Sequence, residues 1–126
     1  MRLSFLLLFV TILLTACGAD PDPNIDADAS LEGRWLLEEA RRDNVKTGSF
    51  DKLYFEFAPD GAFRTNLPPG EQAGRWERDG NEIVTTEMEV PLTYTIEFLD
   101  NEELNLRANY QGFLFDFALV REGVDE

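Results

Sequence analysis

The one cysteine of this 126-residue chain, Cys17, is the side chain best suited to covalent chemistry. It follows a short leader in which Arg2 supplies a positive charge and Leu3–Leu14 is a run of twelve mostly apolar residues. A helix that spans a bilayer needs about 20 apolar residues, so residues 1–16 match a secretory signal peptide better than a membrane anchor. Because a thiolate is the best nucleophile among side chains for alkylation, Cys17 is the predicted site of a covalent modification.

The four residues Leu14-Thr15-Ala16-Cys17 resemble the lipobox of bacterial lipoproteins, in which Leu, a small or hydroxyl residue and a small residue precede the cysteine. The resemblance implies that Cys17 receives a diacylglyceryl thioether, becomes the first residue after cleavage and is then N-acylated, for example with palmitate. Several acyl chains exceed the two signals that stable membrane anchoring requires. The alternative is an ordinary secretory signal followed by a chance cysteine.

The residue after the cysteine indicates which of the two membranes of a Gram-negative envelope holds the lipid anchor. It is Gly18, not the Asp that retains lipoproteins in the inner membrane of enteric bacteria. By that rule of the family, we expect a Gram-negative cell to hold the protein in its envelope, anchored in the outer membrane through the lipid on Cys17 and facing the periplasm.

Composition excludes several classes of function. Histidine is absent, which rules out Ser-His-Asp and Cys-His catalysis and removes the usual zinc and transition-metal ligands. Loss of the leader removes Arg2 and no acidic residue, so ten basic residues face 25 acidic ones. That acidic balance argues against nucleic-acid binding. No pair of carboxylates is spaced for catalysis, so we expect no enzyme, no catalytic residue, no cofactor and no metal site.

Residues 17–30 form the predicted tether between the lipid and the folded body. The stretch GADPDPNIDADAS is rich in Pro, Asp and Ala and carries no aromatic residue, a composition typical of a disordered, solvated segment. Asp20-x-Asp22-x-Asn24 is spaced like the start of a calcium-binding loop, but Ile25 occupies the position where that loop requires Gly. The sequence therefore does not predict calcium binding here.

The body reads as a series of short strands. From Leu31 onward, apolar residues alternate with polar ones, and turn signals recur every eight to twelve residues. Eight such antiparallel strands with one apolar face close naturally into an up-and-down barrel, which also removes the exposed sheet edges. We place the barrel at residues 31–121 and a short tail at 122–126, with any helix confined to the loop Glu38–Lys52. The predicted strands contain Trp35 and Leu37; Leu53, Phe55 and Phe57; Phe63 and Thr65; Gly74 and Trp76; Ile83–Met88; Leu92, Tyr94, Ile96 and Phe98; Leu104 and Leu106; and Phe113, Phe115, Phe117 and Leu119.

Two positions carry a resemblance to a known family. Gly33-Arg34-Trp35 on the first strand resembles the Gly-x-Trp of the lipocalins, and Arg121 follows the last strand where that family has an Arg packed across the same Trp. The segments LEGRW, FAPDGAFRTN and AGRWERDGNEIV are similar to small bacterial lipocalin-like domains. The resemblance implies that Trp35 closes one end of the barrel beneath the Arg121 guanidinium; the alternative is a Trp that is merely core. The chain departs from a full lipocalin by lacking the helix after the barrel and a disulfide.

The barrel interior is either a filled core or a cup for a small ligand, because eight strands leave room for one or the other. Four basic residues, Arg41, Arg42, Lys46 and Lys52, lie in the loop between the first two predicted strands, which in lipocalins covers the mouth. A cationic lid over an aromatic cup would suit an amphiphile with an anionic head, whereas the alternative is a solvated loop. The presumed inward residues are Trp35, Phe55, Phe57, Phe63, Trp76, Tyr94, Phe98, Phe113, Phe115 and Phe117, and the candidate ligand contacts are Arg41, Arg42, Lys46, Tyr94 and Phe115.

Three functions therefore remain open. The first is an envelope lipoprotein whose barrel binds a small apolar or amphiphilic ligand. The second is a protein-interaction module, like the similar barrels that serve as protease inhibitors or as accessory subunits of envelope complexes. The third, an enzyme built from carboxylates, is disfavoured because the sequence contains no histidine and no catalytic motif.

Overall fold

In a computed structural model of the protein, residues 23–68 and 70–123 are described, and all of their regular structure is β-strand. The predicted leader, Cys17 and the first part of the tether lie outside the described residues, as does the end of the tail. The strands are β1 (Gly33–Arg42), β2 (Val45–Thr47), β3 (Tyr54–Phe57), β4 (Ala62–Thr65), β5 (Gln72–Asp79), β6 (Glu82–Thr86), β7 (Thr93–Leu99), β8 (Glu103–Tyr110) and β9 (Phe113–Arg121).

The sheet closes on itself. From β3 to β9 each strand pairs antiparallel with the next, β1 pairs with β3 on one side, and β1 pairs with β9 on the other. The closing register places Trp35 opposite Arg121 and Arg42 opposite Phe115. The predicted all-β fold, an eight-stranded antiparallel barrel, is thus confirmed, with β2 as one additional strand.

The extra strand lies in the segment that was expected to be a loop. Strand β1 continues to Arg42, and a tight turn at Asp43 and Asn44 leads into β2, which pairs with the end of β1. Both turn residues have positive φ, 50° and 67°, as the two-residue hairpin turns that match strand twist require. The expectation of a loop from residue 38 is wrong for this half of the segment, because the hydrogen bonding of β1 extends beyond its apolar residues.

Strand β7 contains an irregularity that changes which side chains face inward. Its register with β8 shifts between Ile96 and Phe98, which is the effect of an extra residue in one strand of a pair. Leu99 is therefore buried at 1% exposure, while Phe98 is only partly buried. The prediction that Phe98 shares the inward face of this strand is wrong for that reason.

Of the other aromatic residues in the presumed inward set, most are buried inside the barrel and two are not. Trp76 is only partly buried, and Phe113 at the start of β9 is 40% exposed. The seven remaining members are buried, and the Phe and Tyr rings among them pack edge-on, stacked or tilted against one another. They are Trp35, Phe55, Phe57, Phe63, Tyr94, Phe115 and Phe117.

The described part of the predicted tether contacts the barrel. Ile25 forms a parallel bridge with Leu99, whose backbone N–H donates to the Asn24 carbonyl at 2.9 Å and whose carbonyl accepts from Asp26 N–H at 2.8 Å. Ala29 is buried in the core. The folded body therefore begins before Leu31, because a few backbone hydrogen bonds and one small apolar residue suffice to attach this acidic stretch.

Candidate ligand-binding site

The alternating strand directions give the barrel two different ends. One end, the closed end, carries the start of β1, the short connections 58–61, 80–81 and 100–102, and the end of β9. The opposite end carries the β1–β2 hairpin and the connections 48–53, 66–71, 87–92 and 111–112. We call this second end the mouth.

A tryptophan and an arginine cover the closed end. The Trp35 side chain is fully buried, and its indole N–H donates to the Leu31 carbonyl at 2.9 Å. The guanidinium carbon of Arg121 lies 4.2 Å from the centroid of the Trp35 ring, within the range of a cation–π contact. A Cβ at Gly33 would lie 2.7 Å from the Arg121 guanidinium, and the Gly33 φ of +126° also favours glycine. The structure thus brings Gly33, Trp35 and Arg121 together.

The Arg121 guanidinium also donates hydrogen bonds to the backbone of two separate segments. It donates to the carbonyls of Ser30 and Glu32 at 2.6 Å each, and to the carbonyl of Asn101 at 2.9 Å. Hydrogen bonds that involve a charged donor are stronger than neutral ones. Arg121 therefore ties the entering chain and the β7–β8 turn to the end of β9.

An apolar cavity of about 260 Å³ lies at the mouth. Its surface is mostly aromatic and aliphatic, which is typical of small-molecule sites, although such sites usually measure roughly 300–1,000 Å³. The side chains beneath it are the filled aromatic core, so the cavity is shallow and does not run through the barrel. It is lined by Arg42, Ser49, Phe50, Leu67, Pro68, Leu92, Ala108, Tyr110, Gln111, Phe113, Phe115 and Phe117.

Arg42 is the only charged side chain among the described residues that line this cavity. It faces the same side of the sheet as its cross-strand partner Phe115, which points into the barrel. Its guanidinium carbon lies 5.0 Å from the centroid of the Phe113 ring. In the described part of the chain, Arg42 has no carboxylate within ion-pair distance, so its charge is available to a ligand.

Phe50 forms one wall of the cavity from the connection between β2 and β3. We call residues 48–52 of this connection the strap. The Phe50 ring packs edge-on against Phe115 and Phe117, with centroid distances of 5.4 and 5.5 Å. The Phe50 ring thus connects the strap to the barrel interior. Sequence reasoning missed Phe50, although it is the only aromatic residue between Trp35 and Tyr54.

Two of the predicted cationic contacts lie on the outer surface. Arg41 faces the opposite side of the sheet from Arg42, and its guanidinium donates a hydrogen bond to the Glu39 carboxylate at 3.0 Å. Lys46 forms an ion pair with the same carboxylate at 3.6 Å. The hydrogen bond from Arg41 is the main reason that the pKa of Glu39 is lowered, and Lys46 adds to it. Arg41 and Lys46 therefore do not line the cavity.

Tyr94 lies in the core rather than at the mouth. It is 1% exposed, and its ring centroid is 5.4 Å from that of Phe55. Burial raises the pKa of its hydroxyl, because a phenolate loses its hydration in an apolar environment. Of the five predicted ligand contacts, the structure thus places Arg42 and Phe115 together in the cavity, and it places Arg41, Lys46 and Tyr94 elsewhere.

A wider, open depression of about 460 Å³ lies on the outer face of the barrel, and its charged side chains pair with one another. Arg107 donates to Asp116 at 2.7 Å and forms an ion pair with Glu97 at 3.1 Å. The Asp116 hydrogen bond raises the pKa of Arg107. In residues 23–68 and 70–123, no group of acidic side chains is arranged to hold a metal ion. Across the same residues, no helix is long and apolar enough to span a membrane.

Comparison of the chain with protein-family models and with curated proteins finds no match.

Proposed function

We propose that the protein is a membrane-anchored envelope lipoprotein whose lipocalin-like barrel binds a small apolar or amphiphilic ligand at its mouth. The observation that carries the proposal is the apolar cavity of about 260 Å³, with Arg42 as its one described cation and the rings of Phe50, Phe115 and Phe117 as its walls. A cavity with an apolar surface and few polar groups is a common form of ligand site. Because Trp35 and Arg121 cover the opposite end, a ligand would enter the barrel through the mouth.

The expected affinity is modest. Removing about 300 Å² of apolar ligand surface from water contributes about 7 kcal/mol at roughly 25 cal/mol per Å². The ordering of ligand and side chains reduces this amount, so a Kd in the micromolar range at best is expected.

Native mass spectrometry of the body, residues 18–126, tests the proposal. Every described contact of the fold lies within residues 23–123, so this form retains the whole barrel. The body is secreted into the envelope behind a plain signal peptide and purified without detergent. A co-purifying small molecule that disappears on unfolding supports binding. An empty barrel whose melting temperature also fails to shift with fatty acids, alcohols or phospholipids would refute it.

The anchoring part of the proposal rests on the leader and on where the chain enters the barrel. Residues 24–26 join the barrel beside Leu99, at the closed end. Asn24 is seven positions after Cys17, so a lipid on Cys17 would hold the barrel within about 25 Å of the membrane.

Substitution of the cysteine tests the anchor. Cys17→Ser should abolish lipid labelling and release the protein from membranes, since Ser offers no thiolate to alkylate. Thr15→Ser is the matched control, because it keeps a hydroxyl residue at that position of the motif and should leave labelling intact. A Cys17→Ser protein that still carries lipid and sediments with membranes would refute the lipoprotein assignment.

A second candidate function is a protein-interaction module. Two large apolar side chains at the mouth end are exposed, Val45 at 68% and Phe113 at 40%, and exposed apolar surface is a feature of interaction sites. Cross-linking in the intact envelope tests this candidate. A partner captured by wild type and lost with Val45→Ser and Phe113→Ser would favour it over ligand binding.

A further inference from the structure

Resting on the proposed function, we propose that the mouth selects a short amphiphile with one negative charge. Its carboxylate is held by Arg42, and its tail of at most about nine carbons lies against Phe50, Phe115 and Phe117. The same cavity disfavours neutral alcohols and cationic amines, and longer fatty acids gain no affinity from their additional carbons.

The sign of the charge follows from the wall of the cavity. Arg42 is its only charged residue among those described, and the guanidinium stands beside the Phe113 ring with no carboxylate partner in that part of the chain. An Arg fork binds a carboxylate through two parallel hydrogen bonds. A cationic head would instead meet an unpaired guanidinium, which is repulsive. One cation matches one negative charge.

Comparison with Arg41 shows that the position of Arg42 at the mouth depends on which face of β1 its side chain occupies. Arg41 faces the outer surface and is paired with Glu39 at 3.0 Å, whereas Arg42 faces the mouth. Two adjacent cations of the same chemical type thus differ in their access to the cavity. Together they provide a matched pair of variants.

The length limit follows from what lies beneath the cavity. Phe55 and Phe117 are buried and in contact, with centroids 5.7 Å apart, and Tyr94 fills the next layer. A tail cannot pass these rings without moving the core. A volume of about 260 Å³ equals about nine times the roughly 30 Å³ share of a liquid water, and a methylene group occupies a similar volume. A tail of about nine carbons therefore fills the space.

Three ligands of eight carbons each test the charge. Octanoate, 1-octanol and octylamine are titrated into the body 18–126 by calorimetry. We expect octanoate to bind at least tenfold more tightly than 1-octanol, and octylamine to bind least. In Arg42→Gln the advantage of octanoate over 1-octanol should fall to about one, whereas in Arg41→Gln it should persist. Octyl phosphate should bind no better than octanoate, because a second negative charge finds no second cation.

A series of carboxylates tests the length. Each methylene added within the cavity should tighten binding by up to about fourfold, and the gain should stop near ten carbons. A gain that continues to hexadecanoate would overturn the length limit.

The outcomes separate this inference from the proposed function. If 1-octanol binds as tightly as octanoate, or if Arg42→Gln leaves their ratio unchanged, the cavity binds ligands but the charge selection is refuted. If none of the three eight-carbon ligands binds, this inference is refuted, whereas the proposed function is refuted only by an empty barrel in native mass spectrometry that also shows no melting shift with the wider ligand set. Circular dichroism confirms that each variant is folded, which is expected because both substitutions are at exposed side chains.

Discussion

Arg121 and Trp35 are cross-strand partners on β9 and β1, and the guanidinium carbon lies 4.2 Å from the centroid of the indole ring. This pair joins the last strand to the first, which is the step that closes the barrel. The three carbonyls that accept hydrogen bonds from the same guanidinium add the entering chain and a turn to this junction. The closed end is therefore held by one side chain that makes several different contacts.

Arg121→Lys should destabilise the protein although it keeps the charge. An ammonium group cannot reproduce the planar fork that reaches three carbonyls and stacks on the ring. Since a hydrogen bond from a charged group contributes about 1.5–3 kcal/mol, we expect a loss of about 2–4 kcal/mol in the free energy of unfolding, measured in urea. Arg64→Lys on the exposed face of β4 is the control and should change this free energy by less than about 0.5 kcal/mol. Equal effects of the two substitutions would contradict the role given to Arg121.

Trp35→Ala should cost about 3–5 kcal/mol, as other truncations of buried Trp residues do. Because domains are stable by only about 5–15 kcal/mol, this loss threatens folding. Thermal unfolding followed by circular dichroism measures it. Trp35→Phe keeps an aromatic ring under Arg121 and should lose less. An unchanged melting temperature in the Ala variant would show that the ring does not close the barrel.

The sequence predicted the barrel because strand periodicity and turn residues are local signals. Phe55, Phe57 and Phe63 alternate with polar residues between turns, and the structure buries all three. Gly33, Trp35 and Arg121 were identified through a family resemblance, since residues so far apart in the chain show no local sign of contact.

The candidate site was only partly predictable. The sequence does not distinguish Arg41 from Arg42 if both lie in a loop, because loop residues do not alternate between two faces. The extension of β1 directs Arg41 outward and Arg42 into the mouth. The irregularity in β7 reversed the parity at Phe98 without any Gly or Pro to mark it. Phe50 was missed because its burial depends on rings contributed by β9.

Gly74→Ala should destabilise the barrel by about 1–3 kcal/mol, the usual cost of overpacking. A Cβ at this position would overlap the backbone oxygen of Thr86 and the side chain of Met88, and the backbone cannot easily move within paired strands. Chemical denaturation provides the measurement.

Gly48→Ala is the matched control for this substitution. Apart from Gly48 and its two chain neighbours, no atom of the described residues lies within 4 Å of a Cβ at Gly48, so the change should be neutral or stabilise slightly by reducing the freedom of the unfolded chain. If both glycines tolerate Ala equally, the close approach at Gly74 does not restrict the fold.

Phe50→Ala should release the strap while leaving the barrel folded. Among the described residues, the strap makes few hydrogen bonds. They include Leu53 N–H to the Phe50 carbonyl at 3.0 Å and Asn66 Nδ2 to the Lys52 carbonyl at 3.0 Å, and Ser49 bonds to the Thr47 hydroxyl. Without the ring, trypsin should cleave after Lys52 about tenfold faster, since cleavage follows the population of the open segment. Mass spectrometry of the fragments identifies the site.

Phe113→Ala is the control for the strap, because it removes a ring from the same end of the barrel without touching residues 48–52. It should leave the rate of cleavage after Lys52 unchanged. Rapid cleavage in wild type, with no acceleration in Phe50→Ala, would show that the ring does not hold the strap.

Tyr94→Phe should make the protein more resistant to alkali. Burial raises the pKa of Tyr94 in the folded state, whereas an unfolded Tyr ionises near pH 10. The neutral hydroxyl is thus fully compatible with the fold below about pH 10, and stability is lost as the pH rises above it, by up to about 1.4 kcal/mol per pH unit. Phe at this position has no proton to lose.

Urea unfolding at several pH values between 9 and about 11 tests the alkaline effect. The slope of stability against pH should be shallower in Tyr94→Phe than in wild type, with little difference between the two proteins at pH 8. Tyr54→Phe should remove a separate part of the slope, because burial and the hydrogen bond to Glu71 raise the pKa of Tyr54. Identical slopes in wild type and Tyr94→Phe would mean that Tyr94 ionises as readily in the folded state as in the unfolded one, which its position between Phe55 and Phe63 argues against.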